Sequence, residues 1–419
     1  MIKTIKTSQL RIGMYVSNLH RSWYQHTFLF NRFLLNDAKK LQKILNSGIK
    51  EVEIDTRKGL DVREPLSPRP QDSTPSKRSA EGRMEIDPIK TIVRSHEESR
   101  IVYPIPLQME IHKAKQVLTD TSRIIEEVMG DIRFGRQINT QKVDQTVNQI
   151  TQSILRSPDA LIALSRLKNK DTYTFQHSVS VSALLISFCR DRGLDQQTIQ
   201  KVGTGGLLHD VGKMQVPYEI LNKPAKLTHE EFGIIRKHVE HGRRILEMTP
   251  SIPRVAVMVA SQHHERRNGS GYPAHVASQE ISQYGQMAAI ADVYDAATSQ
   301  RPYHQALEPT EALRQIYEMR ETFFDAELVE QFIKFMGIYP VGSLVALENG
   351  HLGVVLETNR NSLLLPLVRV IYDSTQGRPL PQHDLDLSRP TRTGSLHRIV
   401  AYESPEKWGL EPLAVLSRS

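Results

Sequence analysis

The residues able to do chemistry in this 419-residue chain are histidines and aspartates at recurring short spacings. His209 and Asp210 adjoin in "GGLLHDVGK", near the end of an apolar run, so an imidazole nitrogen and a carboxylate are offered to one small volume. That pairing suits a borderline divalent metal, because imidazole takes one site while a carboxylate can bridge two. Gly205, Gly206 and Gly212 allow close backbone approach at some cost in helix propensity. Lys213, three residues past Asp210, falls on the same side of a continuing helical turn, where its point charge could meet a phosphate oxygen.

A second group lies in "SQHHERRNGSGYP". His263 and His264 follow the apolar stretch "RVAVMVA". A buried neutral histidine pair is costly without partners, and a metal compensates it; the alternative is an ordinary helix end with solvated histidines. The chain then passes through Asn268, Gly269, Gly271 and Pro273, a loop able to present Tyr272 over a ligand. A third group is "AAIADVYDAATSQRPYH", with Asp292 and Asp295 three apart on a small, apolar helix. Buried aspartates must be paired or metal-bound, so one can be a ligand while the other caps or braces. Arg301 follows and could meet a phosphate with its rigid fork. His177 and His238 complete the set, although each alone reads as an ordinary core or surface histidine. His229, His241, His275 and His304 read that way more strongly.

Facing into one helical bundle, His177, His209, Asp210, His238, His263, His264 and Asp292 supply seven nitrogen and oxygen donors. That is too many for one tetrahedral zinc. It suits two divalent metals about 3.5–4 Å apart, bridged by Asp210, with iron or manganese as the expected occupants. The single cysteine, Cys189, lies in "ALLISFC" and reads as a buried packing residue; it excludes a disulfide framework and a thiolate cluster, though not catalytic zinc.

The elements that must position these residues are helical. Apolar positions at three- and four-residue spacings run through "QVLTDTSRIIEEVM" and "VDQTVNQITQSIL". Further helices are predicted near 174–191, 195–208, 228–248, 252–264, 284–298, 309–321 and 325–336. The expected architecture is mainly α: a helical bundle over 101–337, a small α+β unit over 1–61, and a small β module with a polar tail over 338–419. In the first unit "MYVSNL" and "IKEVEIDT" read as strands and "DAKKLQKILNSG" as a helix capped by Asp37 and stopped by Gly48. Residues 62–100, with Pro65, Pro68, Pro70 and Pro75, read as a weakly ordered linker.

Composition narrows the function. With 54 Lys+Arg against 47 Asp+Glu the net charge is +7, mild for this length. It fits an anionic ligand and does not call for DNA or RNA. No run approaches 18 apolar residues and the N-terminus lacks a signal-peptide core, so no membrane span is expected and the cytoplasm is the default location.

The stretches "HDVGK", "LNKPAKLTHEEF", "HVEHG", "HHE", "GSGYP" and "ADVYDAATSQRPY", in that order, resemble the HD-GYP family, a branch of the HD phosphohydrolases. The first 60 residues resemble the small domain that precedes it in one subgroup. The resemblance implies an HD-type helical bundle that hydrolyses cyclic di-GMP to pGpG and often GMP. It implies His177, His209 and Asp292 on one metal, and His238, His263 and His264 on the other, with Asp210 between them. Lys213 and Arg301 would bind phosphate, and Gly271, Tyr272 and Pro273 form the motif that names the family. Tyr173 stands where a glutamate supports a third metal in some members, which favours two. Asn268 replaces the usual aspartate of the loop, and His304 a basic residue. Two other readings compete: hydrolysis of another nucleotide, against which "GSGYP" and "SQRPY" speak, and a non-catalytic scaffold for nucleotide or protein, against which the complete donor set counts. Residues 1–61 or 338–419 are the candidate docking modules for a protein partner.

Overall fold

A computed structural model describes residues 2–18, 33–35, 38–45, 50–62, 107–165, 173–223, 225–299, 306–390 and 397–416. The linker expected over 62–100, the caps Asp37 and Gly48, and Arg301 and His304 lie outside the described residues, apart from Val62 at the linker's start. The chain divides into two compact units, one of residues 1–86 with 223–232, the other of 87–222 with 233–419.

In the first unit, strands β1 (Ile2–Lys6), β2 (Tyr15–Asn18), β3 (Phe33–Leu34) and β4 (Glu51–Asp55) pair antiparallel in the order β1-β4-β2-β3. Helix α1 (Ala38–Leu45) supplies Ile44 to a core of Ile5, Met14, Val16, Leu35, Val52 and Ile54. The alternation expected for "IKEVEIDT" is what buries Val52 and Ile54 together, since they stand two apart on one face.

The second unit holds the helical bundle: α2 (Leu107–Arg133), α3 (Thr140–Arg156), α4 (Pro158–Ser165), α5 (Tyr173–Asp191), α6 (Gln196–Leu208), α7 (Tyr218–Leu221), α8 (His229–Arg236, shared across the two units), α9 (His238–Glu247), α10 (Arg254–Gln262), α11 (Gln283–Thr298), α12 (Pro309–Glu318) and α13 (Ala326–Met336). Side chains start several of them: Asn139, Asp195, Ser282 and Asp325 accept from the backbone N–H groups of Lys142, Thr198, Gly285 and Leu328. Helix α6 carries the main packing constraint. A Cβ on Gly205 would come within 2.6 Å of Val259 in α10, and one on Gly206 within 3.0 Å of the Ser182 Cα in α5. The two glycines therefore let α6 lie tightly between α5 and α10, which brings their histidines together. Cys189 is buried in α5, and burial pushes its thiol up to about 12.

The helix expected over 228–248 is two helices, with a break at Lys237. The 3-10 turn Val211–Gln215 presses on the start of α9: a Cβ on Gly212 would fall 1.9 Å from the His238 carbonyl oxygen. Residues past Asp373, expected as a polar tail, also fold. Strands β5 (Leu344–Leu347), β6 (His351–Glu357), β7 (Leu367–Asp373), β8 (Arg378–Asp386) and β9 (Ile399–Tyr402) form one antiparallel sheet in the order β8-β7-β6-β5-β9. Short helices α14 (Pro405–Trp408) and α15 (Pro412–Leu416) close it. β8 is mostly exposed and polar, so its strand character came from pairing with β7 rather than from its own pattern. The module shares a core with the bundle: Ala163 of α4 packs with Val341, Leu344, Val354, Val415 and Leu416.

At that junction Asp159 lines a small pocket with Ile162, Tyr294, Phe335, Pro340 and Val341. Burial raises its carboxyl pKa to about 6; Arg360 opposes the rise and Glu357 adds to it. A folded-state pKa above the unfolded value means that the proton is held more tightly in the folded chain. The stability it contributes is present below about 3.8 and lost as pH rises through about 6. Asp159→Asn is therefore expected to raise stability by about 1–3 kcal/mol near pH 7.5, shrinking towards zero by about pH 4. Urea midpoints at the two pH values check this, and an equal shift at both would refute it.

Candidate metal centre

Three histidines are presented by the same local device. His209 and His263 stand one residue beyond the ends of α6 and α10, and His238 opens α9 after the break. In each, Nδ1 meets the backbone carbonyl three residues earlier: Gly206 at 2.7 Å, Ile235 at 2.7 Å and Ala260 at 2.8 Å. A carbonyl only accepts, so Nδ1 carries the proton and Nε2 keeps its lone pair for the centre. His177, the fifth residue of α5, is oriented by a carboxylate instead, its Nδ1 lying 2.6 Å from Asp295 Oδ2.

The inward-facing ring nitrogens converge on two carboxylates. Asp210 lies with Oδ2 3.3 Å from His209 Nε2 and 3.7 Å from His177 Nε2, and with Oδ1 3.3 Å from His238 Nε2 and 3.9 Å from His263 Nε2. Asp292 reaches His177 Nε2 at 3.1 Å and His264 Nδ1 at 3.9 Å. Donor atoms of His177, His209 and Asp292 lie within 4.8 Å of one another, as do those of His238, His263 and His264, and those of His209, Asp210 and His263. The first two are the groupings that the resemblance implies, with Asp210 between them.

His209, Asp210, His238 and His263 are each 1% exposed or less. His209 Nε2, Asp210 Oδ1, His238 Nε2, His263 Nε2 and His264 Nδ1 are buried with no hydrogen-bond partner. An unsatisfied buried polar atom costs about 1–3 kcal/mol, and a cluster of five calls for a cation. The electrostatics agree. Burial alone would push the Asp210 carboxyl up, but Lys213, His209 and His238 hold it well below the usual carboxylate range. Burial likewise opposes ionisation of Asp292, and His177, His264 and His209 overcome it. His263 and His264 are pushed well below the ordinary histidine range by burial and by neighbouring histidines, so they stay neutral. Burial also works against a charge on His209, yet Asp210 and Asp292 draw its pKa above the ordinary value. Charged carboxylates beside imidazoles, without thiolates, make a donor set that fits divalent metal.

Lys213 Nζ lies 2.5 Å from Asp210 Oδ2, with a quarter of its side chain exposed. Tyr272, expected to be displayed over a ligand, is 8% exposed: its ring stacks on His264, with centroids 4.6 Å apart, and the Arg236 guanidinium lies over it. Burial raises its phenol well above the ordinary range. Asn268 is turned to its own loop, its Oδ1 accepting from the Ser270 N–H at 3.1 Å and hydroxyl at 2.7 Å. Arg301 lies outside the described residues, as does the side chain of Tyr173. Of the two readings left open for Asp295, the brace is the one seen. Sequence reasoning passed over Glu265, which is 2% exposed and accepts from the Ala274 N–H at 2.8 Å, tying the loop back beside His264. Its place beside the histidine pair was the only signal. For Arg236 there was none, because its contact with Tyr272 joins residues 36 apart.

A fold in which adjoining His and Asp donors close a buried cluster between helices is that of the HD-type phosphohydrolases, and residues 158–328 match the HD domain. Residues 2–143 match a domain of unknown function, DUF3391. The chain is 40% identical over 414 residues to a cyclic di-GMP phosphodiesterase of Pseudomonas aeruginosa, covering 99% of this chain and 95% of that one. It is 36% identical over 166 residues to a cyclic di-GMP phosphodiesterase of Thermotoga maritima, covering 39% of this chain and 45% of that one. It is 35% identical over 154 residues to a 3′3′-cGAMP-specific phosphodiesterase of Vibrio cholerae, covering 37% and 36% respectively. The chain belongs to the HD-GYP family. No helix among the described residues is long and apolar enough to cross a membrane.

Because Asp295 holds His177 in register, Asp295→Ala is expected to weaken divalent-metal affinity about 10- to 100-fold while the helical circular dichroism is kept. Chelator competition measures it, and unchanged affinity would mean that His177 needs no brace.

Proposed function

We propose that this chain is a metal-dependent phosphodiesterase that hydrolyses cyclic di-GMP to pGpG, with GMP as a further product. The observation that carries the reading is the set of five buried, unpartnered nitrogen and oxygen atoms converging around Asp210. Full-length similarity to a cyclic di-GMP phosphodiesterase supports the substrate. In this proposal His177, His209 and Asp292 hold one ion, His238, His263 and His264 the other, and Asp210 bridges them. Iron or manganese suits mixed imidazole and carboxylate donors without thiolate. When bound, such ions supply charge neutralisation and a strong oxygen nucleophile at neutral pH.

The chain's own groups orient the reaction. In the hydrolysis one water adds: its oxygen bonds to phosphorus, the bond to the 3′ oxygen breaks, and that oxygen takes a proton, leaving a 5′-phosphate and a 3′-hydroxyl. Lys213 keeps Asp210 ionised and offers its remaining N–H groups, from a partly exposed side chain, to a phosphate oxygen. Arg301 serves as a second phosphate contact. Tyr272 acts through His264, whose ring it stacks against, and Glu265 and the Tyr272 N–H bond to the His264 carbonyl hold the loop in place. The burial of the donor atoms lowers the local dielectric, which strengthens each electrostatic contact.

The test is anaerobic purification, metal analysis by mass spectrometry, and assay against cyclic di-GMP and 3′3′-cGAMP beside Asp210→Ala. Turnover of cyclic di-GMP, about 1,000-fold or more slower in the variant, is the expected result. Turnover of 3′3′-cGAMP alone would move the substrate to another nucleotide. Binding without turnover by metal-loaded protein would make the chain a scaffold.

A further inference from the structure

Arg236 ends helix α8 beside the centre, and nothing in the chemistry above uses it. Its guanidinium carbon lies 4.6 Å from the Tyr272 ring centroid, and that centroid lies 4.6 Å from the His264 ring. The cation therefore stands no more than two such steps from the donor cluster. Among the described residues its one polar contact is Nη2 to His275 Nε2 at 3.4 Å, long for a hydrogen bond. Among the described residues no carboxylate pairs with it. Three other half-buried arginines are neutralised, Arg156 by Glu110 at 2.7 Å, Arg267 by Asp325 at 2.7 Å and Arg314 by Glu311 at 2.6 Å, while Arg266 is held by the His263 and Glu265 backbone carbonyls.

An unneutralised guanidinium beside a site built for divalent cations is repelled by them, and an anion touching both relieves the repulsion. The Tyr272 ring also holds the guanidinium through a cation–π contact, so little side-chain freedom is lost on binding. A cyclic dinucleotide carries two phosphodiesters on opposite sides of one closed ring, and hydrolysis acts on one at a time. The other needs a place of its own. We propose that Arg236 forms the subsite for the second, unreacting phosphodiester of the cyclic dinucleotide. This rests on the hydrolase reading above and assigns to Arg236 the selection of cyclic dinucleotides over simple diesters. The guanidinium supplies two parallel N–H donors to the phosphate oxygens. His275, held at φ 55° where the loop leaves the site, flanks it and is displaced or shared when the anion arrives.

The experiment uses full-length, metal-loaded protein: wild type, Arg236→Gln and Arg236→Lys. Each is assayed on cyclic di-GMP and on bis(p-nitrophenyl) phosphate, which has one phosphodiester, with metal content measured alongside. Arg236→Gln is expected to raise KM for cyclic di-GMP about 10- to 100-fold with a smaller change in kcat, and to lower kcat/KM on the simple diester less than about threefold. Arg236→Lys is expected to recover part of the loss, because it returns the charge without the fork. If Arg236 merely buttresses Tyr272 and His264, both substrates and metal content fall together; that result, or an unchanged KM, overturns the subsite. A wild type that cleaves the simple diester yet neither binds nor hydrolyses cyclic di-GMP removes the cyclic di-GMP reading itself, and the subsite with it.

Discussion

The structure is organised around a deficit. Five buried nitrogen and oxygen atoms point into one volume without a hydrogen-bond partner, and the ionised carboxylates of Asp210 and Asp292 lie there. Folding such an arrangement costs free energy that packing elsewhere must offset, unless cations occupy it. The glycine contacts that press α6 against α5 and α10, the break before α9, and the carbonyls of Gly206, Ile235 and Ala260 serve this convergence. Each carbonyl takes the proton-bearing side of an imidazole and so turns the lone pair inward.

Around that cluster the chain builds support in layers. Asp295 reaches His177 from the helix that also carries Asp292, so one helix supplies a donor and the brace of another donor. Tyr272 buttresses His264, and the loop bearing Tyr272 is tied back through Glu265. The C-terminal sheet packs through Ala163 of α4 and the pocket holding Tyr294, which lies between Asp292 and Asp295 in sequence. The sheet module is thus continuous with the body that carries the donors.

Charge is distributed unevenly in a useful way. Lys213 is committed to Asp210, while Arg236 stands a short distance off with an aromatic ring and a distant histidine as its company. The mild net charge of +7 conceals this local arrangement, since what meets an anionic ligand is the placement of a few cations rather than their total.

Much of this was legible from the residues alone. Helices follow from three- and four-residue spacing, as in Thr140–Arg156, and local caps such as Asn139 and Asp195 mark their starts. The seven donors were legible as well, because histidine and aspartate in apolar surroundings need partners wherever the chain takes them. Strand β8 was not, since its exposed residues carry no alternation and depend on β7. Nor was the break at Lys237, one residue before His238, whose carbonyl the turn at Gly212 approaches. The sequence by itself determined which residues must be satisfied and which segments coil. Tertiary structure alone decided what satisfies them: that Asp295 rather than a carbonyl orients His177, that Tyr272 faces His264 instead of open solvent, and that Arg236 arrives beside it. Those pairings join residues 8 to 118 apart, and local periodicity carries no information about contacts made across such distances.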